Sequence, residues 1–111
     1  MAHDIPRPDV LDALPMPVEI RDDMQELVRV AGSLVWNRDG IPAAQRSMVT
    51  IAILTALGRW DELRFHVGFG LDNGCTRAEI CEVLMHAAVY AGFPASVNGM
   101  RIASEVFAAR D

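Results

Sequence analysis

The chain has 111 residues, of which 51% are hydrophobic, and its ten basic residues against fifteen acidic ones leave a formal net charge of −5. That length suits one domain, and an apolar load this high in a small chain, with a mean hydropathy of +0.19, implies that some apolar surface faces other subunits. The scattered, net acidic charge argues against a nucleic-acid partner. All ten basic residues are Arg, which excludes Schiff-base chemistry, since that needs a lysine amine. No apolar run is long enough to span a bilayer and Met1 to Pro8 does not read as a secretory signal, so the expected location is the cytoplasm. Cys75 and Cys81, six apart, form neither a CxxC pair nor a disulfide framework and read as reduced thiols.

In chain order, residues 1–17 hold Pro6, Pro8, Pro15 and Pro17 and read as a proline-rich arm, with a short turn over Val10 to Leu14. The remainder, 18–111, reads as the helical domain. From Val18 to Trp36, Ile20, Met24, Leu27, Val28, Ala31, Leu34 and Val35 recur at helical steps, and Asn37, Asp39 and Gly40 break the pattern. Pro42 suits a first turn, and the helix to Leu57 carries apolar residues nearly all round, so it is expected to be buried on most sides.

Gly58 ends that helix, the next covers Arg59 to Asn73, and Asn73-Gly74 supplies a left-handed stop. Thr76-Arg-Ala-Glu79 is a capping-box sequence, opening a helix with Ile80, Val83, Leu84, Ala87, Ala88 and Ala91 on one face. Gly92-Phe93-Pro94 punctuates again before a last helix from Ala95 to Ala109, with Val97, Met100, Ala103, Val106 and Phe107 inward. The reading is all-α: one bundle of about five helices with short connections.

Glu62 and His66, four apart, share a helix face. A carboxylate there holds one imidazole nitrogen and raises its basicity, leaving the other to move a proton near neutral pH; the plain alternative is a surface ion pair. His86 reads as a second site residue or a half-buried imidazole bonded to a carbonyl. A metal centre from His66, His86 and Glu62 is rejected, because no HExxH or paired-His spacing supports it. Arg38 and Arg46 flank a turn and the start of the apolar helix, where a guanidinium can grip a carboxylate with two parallel hydrogen bonds or simply cap a neighbouring helix. Gly68, Gly70 and Gly99 within helices point to close helix contact or to room for a ligand.

Several consecutive pieces resemble the carboxymuconolactone decarboxylase family: Trp36-Asn-Arg38-Asp-Gly40-Ile41 with Arg46-Ser47; Ala56 to His66, containing Glu62-Leu-Arg-Phe-His66, then Asn73-Gly74; and Glu79 to Ala95, containing His86-Ala-Ala-Val-Tyr90, followed by Asn98. The resemblance implies an all-α, alkyl hydroperoxidase D-like fold, trimers or hexamers, no cofactor, and a pocket between subunits near the Glu-Leu-x-x-His helix. It also implies catalysis by His66 with Glu62, and substrate binding by Arg46, Arg38, Trp36, His86, Tyr90 and Asn98. The family's longer N-terminal region, with paired arginines, is replaced here by the proline-rich arm. Alkyl hydroperoxidase D proteins use a CxxC where this chain has Arg59 and Glu62, so thiol peroxidase chemistry lacks its equipment.

The activity this implies is cofactor-free decarboxylation of a carboxylated unsaturated lactone in aromatic-acid breakdown, with His66 delivering the proton. Two other readings use the same residues or none: an isomerase, cyclase or decarboxylase of a biosynthetic pathway acting on a lactone or keto acid, and a non-catalytic oligomeric binding protein.

Overall fold

Gly58 shows how local sequence sets the architecture. It adopts φ 70° and ψ 32°, a left-handed conformation that glycine reaches without a Cβ penalty. Its N–H reaches Thr55 O at 3.2 Å while that of Arg59 reaches Leu54 O at 2.9 Å, the paired bonds that close a helix end. The computed structural model describes residues 15–111, and the described residues form five helices and no strand. These are α1 Val18–Trp36, α2 Ala43–Leu57, α3 Trp60–Asp72, α4 Arg77–Tyr90 and α5 Phe93–Ala109. The expected turn at Val10 to Leu14 lies outside the described residues. None of these helices is long and apolar enough to cross a membrane.

The chain divides into two units, the first ending at Ile41 and the second running from Pro42 to Asp111. In the first, α1 starts after Pro17 and ends where Asn37 N–H bonds Ser33 O and Arg38 N–H bonds Val35 O, both at 3.1 Å. Its apolar stripe is largely exposed, Leu27 and Leu34 included, and Trp36 is its buried residue.

In the second unit α2 packs on α3, α4 and α5, and α5 on α3 and α4. The core is Ile51, Leu63, Val67, Cys75, Ile80, Leu84, Ile102 and Ala103. The Thr76 capping box forms as the sequence indicates: Glu79 N–H donates to Thr76 Oγ1 at 3.0 Å and Thr76 N–H to Glu79 Oε1 at 2.9 Å. Gly74, at φ 103°, lets Cys75 N–H reach Gly70 O at 2.8 Å, closing α3. Cys75 donates through Sγ to Ala44 O at 3.1 Å, and burial pushes its thiol pKa up, as does the Glu79 charge nearby. It is therefore a poor nucleophile.

Two expected burial patterns are corrected. α2 is not buried on most sides: it turns Ser47, Ile51 and Thr55 inward, while Val49, Ile53 and Leu57 are 51%, 51% and 62% exposed. Ser47 and Thr55 are small on that inward face, and Ile51 fills the core between the neighbouring helices. α5 likewise starts at Phe93 rather than Ala95 and Val97 is exposed, while Ala103 is buried and Met100, Val106 and Phe107 pack partly buried against the core as expected, joined on the inward face by Ser96, Gly99 and Ile102. Ser96 Oγ donates to Leu84 O at 2.7 Å, which commits that face to α4.

Of the two causes weighed for the helical glycines, close packing holds at Gly99, where a Cβ would stand 2.8 Å from Leu84 Cδ2 and 3.2 Å from Thr55 Cγ2. Leu84 and Thr55 are fully buried, so neither can swing into solvent. Gly99→Val is expected to destabilise the fold by about 1–3 kcal/mol through overpacking; an unchanged urea midpoint would show that α4 and α5 can part at no cost.

Candidate active site

α3 carries His66 and, one turn earlier, Glu62. Leu63, Val67 and Gly70 point this helix's inner face into the core, which leaves His66 half-buried at the flank and Glu62 exposed. The imidazole meets the ring of Phe69 edge to face, with centroids 5.5 Å apart at 77°. Burial lowers the His66 pKa from its ordinary 6.5, and the Glu62 charge pulls it back only in part. Glu62 raises the basicity of His66 as expected, but desolvation of the imidazolium outweighs this exposed, water-screened partner and the net shift is downward.

This shift makes stability depend on pH. The unfolded chain takes up the proton near 6.5 while the folded chain resists it, so the contribution of neutral His66 is complete above 6.5 and is lost as pH falls through the lowered value. On acidification from pH 7.5 to 5, the urea midpoint of the parent should fall further than that of His66→Gln. Parallel curves for the two proteins would contradict the desolvated environment.

Arg46 stands in the first turns of α2 and is half-buried. Its Nε is shielded from water and meets no acceptor among the described residues, an unmet donor on a group built to bind carboxylates. The next residue, Ser47, is fully buried and accepts a hydrogen bond from Asn73 Nδ2 at 3.0 Å. Arg46 and His66 therefore sit on two helices bonded directly to each other.

His86 and Tyr90 lie elsewhere, on α4, with ring centroids 5.1 Å apart and planes inclined at 31°. They border an open cavity of about 600 Å³ between α2 and α4, whose floor includes Ala52, Ala56 and Ala87. Glu82, one turn before His86, is the charged residue in that lining. Asn98 is half-buried on α5, and its Nδ2 donates to Pro94 O at 3.0 Å, so this donor is engaged on its own helix. Trp36, buried, and Arg38, exposed, belong to the first unit.

The structure thus brings together His86 with Tyr90, whereas Arg46 and His66 lie on α2 and α3, two helices joined through the Ser47–Asn73 bond. Sequence reasoning missed three contributors: Phe69 against His66, Glu82 in the cavity, and the Ser47–Asn73 bond. Glu82–His86 repeats the four-residue spacing of Glu62–His66 and was legible. The Ser47–Asn73 bond joins residues 26 apart in the chain, and no local pattern announces it.

Residues 23–105 match the family model described as the carboxymuconolactone decarboxylase family. The chain is similar to 4-carboxymuconolactone decarboxylase of Acinetobacter baylyi, 47% identical over 90 residues that cover 80% of this chain and 67% of that protein. It is also similar to nitrosuccinic acid decarboxylase npaB of Metarhizium robertsii, 39% identical over 77 residues, covering 68% of this chain and 54% of that protein. An uncharacterized 15.0 kDa protein of Paracoccus denitrificans is 35% identical over 78 residues, 68% of this chain and 58% of that protein. The chain spans between about half and two thirds of the length of these relatives. The family and the names of the relatives indicate a decarboxylase, a carbon–carbon lyase.

Proposed function

This chain belongs to the carboxymuconolactone decarboxylase family, and on that premise we propose that it decarboxylates a carboxylated unsaturated lactone, of the 4-carboxymuconolactone kind, in aromatic-acid breakdown and without a cofactor. The observation that carries the reading is the joining of α2 and α3, which puts a guanidinium whose buried Nε meets no acceptor among the described residues and a half-buried imidazole on neighbouring helices.

Loss of CO2 leaves an electron pair that needs a sink. In a lactone whose carboxylate-bearing carbon is conjugated to the ring carbonyl, the substrate supplies that sink. The bond between the carboxylate carbon and the ring breaks, CO2 departs, and the pair passes through the alkene to the lactone's carbonyl oxygen as a dienolate. Imidazolium His66 then gives its proton to carbon, which regenerates the neutral lactone and neutral imidazole, and water restores the proton. Arg46 holds, through charge-assisted hydrogen bonds, a substrate carboxylate that is retained rather than the one that departs as CO2. Arg38, Trp36, His86, Tyr90 and Asn98 are proposed as further substrate-binding residues.

The lowered proton affinity of free His66 fits this cycle. Desolvation holds the empty site neutral, and an arriving anion raises the proton affinity again, because an opposite charge close by favours the imidazolium. The acid is thereby charged when its substrate is present. Glu62 supports the charged form from the helix turn before.

Self-association belongs to the same reading. Val49, Ile53 and Leu57 on α2 and Met85 and Val89 on α4 are exposed, apolar side chains that a subunit contact would cover. Trimers or hexamers are expected; sedimentation showing a stable monomer at micromolar concentration would defeat this part.

The decisive assay incubates the protein with 4-carboxymuconolactone in D2O and follows CO2 release and deuterium entry at the reprotonated carbon. Absence of both would overturn the lactone reading. A second reading, decarboxylation of an acid that carries a different electron-withdrawing group, draws on the similarity to nitrosuccinic acid decarboxylase, and the same CO2 assay with nitrosuccinic acid tests it.

A further inference from the structure

We propose that Asn73 is a positioning residue for substrate binding: through Ser47 it sets where α2 presents Arg46 relative to His66 on α3. The inference rests on the roles proposed above for Arg46 and His66 and adds the device that sets their separation.

Three observations meet at this end of the helix pair. Asn73, the C-terminal cap of α3, donates from Nδ2 to the Oγ of fully buried Ser47 at 3.0 Å, and Ser47 adjoins Arg46 in the chain. Cys75 donates to Ala44 O at 3.1 Å, tying the first turn of α2 to the residues just past α3. Gly70 lets the helices close up, since a Cβ there would stand 3.2 Å from Ile51 Cδ1 and 3.6 Å from Ser47 Cβ. The segment bearing Arg46 is therefore bonded to the end of the rod that bears His66. His66 lies seven positions before Asn73, about 10 Å along a helix that rises 1.5 Å per residue.

A long arginine stem normally absorbs small backbone shifts. This one has its Nε buried and so is confined, and Thr50 Oγ1 donates to Arg46 O at 3.0 Å, holding the backbone from the following turn. Movement at Ser47 therefore passes to the guanidinium. The amide of Asn73 suits the task because it donates to a hydroxyl without adding charge to a site meant for anions.

The test uses the full chain with 4-carboxymuconolactone as the probe. Asn73→Ala and Ser47→Ala are each made alone and in an Arg46→Ala background. Each single change should lower kcat/KM about 10- to 100-fold, the scale on which a misplacement of an ångström acts, chiefly through a higher KM. In the Arg46→Ala background neither should move KM further, although the melting temperature should fall equally in both backgrounds. That contrast separates positioning from mere support. Unchanged KM in both single variants, or equal KM shifts in both backgrounds, would overturn the inference while leaving Arg46 its role. If Arg46→Ala itself leaves KM at the parent value, the assigned role of Arg46 fails and takes the inference with it. Should Asn73→Ala fail to fold, Ser47→Ala removes the same bond from its other end and decides the question.

Discussion

His66→Ala is expected to lower turnover of the lactone acid by about 10²–10⁴-fold, the usual contribution of a positioned general acid or base. The decline should fall mainly on kcat, because protonation of the dienolate follows binding, and KM should stay near the parent value. His66 is half-buried beside the core rather than within it, so circular dichroism should show helical content retained. The pH profiles sharpen the test. kcat/KM reports the free protein, where desolvation lowers the His66 pKa, so it should decline with rising pH at a lower pH than kcat, which reports the anion-bound site. Glu62→Gln removes the charge that favours imidazolium and should move the kcat/KM inflection still lower. Coincident inflections, or full activity in His66→Ala, would remove His66 from the proton-transfer step.

Arg46→Ala should lower kcat/KM by about 10- to 150-fold, corresponding to the roughly 1.5–3 kcal/mol carried by a hydrogen bond to a charged group. The loss should appear in KM first, because the carboxylate is held in the ground state as well as in the transition state. Arg46→Lys keeps the charge but not the planar fork, and should recover part of the loss. The Nε of Arg46 is buried and meets no acceptor among the described residues, so replacing the side chain breaks no hydrogen bond of that atom with them. A melting temperature close to the parent's is therefore expected, and a large fall in stability together with parent-like KM would mark Arg46 as structural.

The elements of this protein were legible because their signals are local. The αL glycine at 58, the Asn73-Gly74 stop and the Thr76–Glu79 box each satisfy backbone groups within a few residues, and each formed where the sequence placed it. Helical faces were less legible. On α2 the apolar residues run nearly all round, so periodicity could not say which side faces inward; the tertiary packing turned Ser47, Ile51 and Thr55 to the core. On α5 the packing likewise turned Ser96, Gly99 and Ile102 inward and left Val97 exposed.

The candidate site divides in the same way. Sequence alone determined the Glu62–His66 spacing, the presence of Arg46 beside the α2 start, and the motifs that carry the family, since these are properties of adjacent residues and of composition. Tertiary structure decided the direction of the His66 pKa, because desolvation depends on what packs around an imidazole and not on its neighbour four residues away. It also decided that His86 and Tyr90 share a cavity with Glu82, and that Ser47 meets Asn73 across two helices. Hydrogen bonds and burial between distant segments exist only once the chain has closed on itself, and short-range pattern carries no record of them.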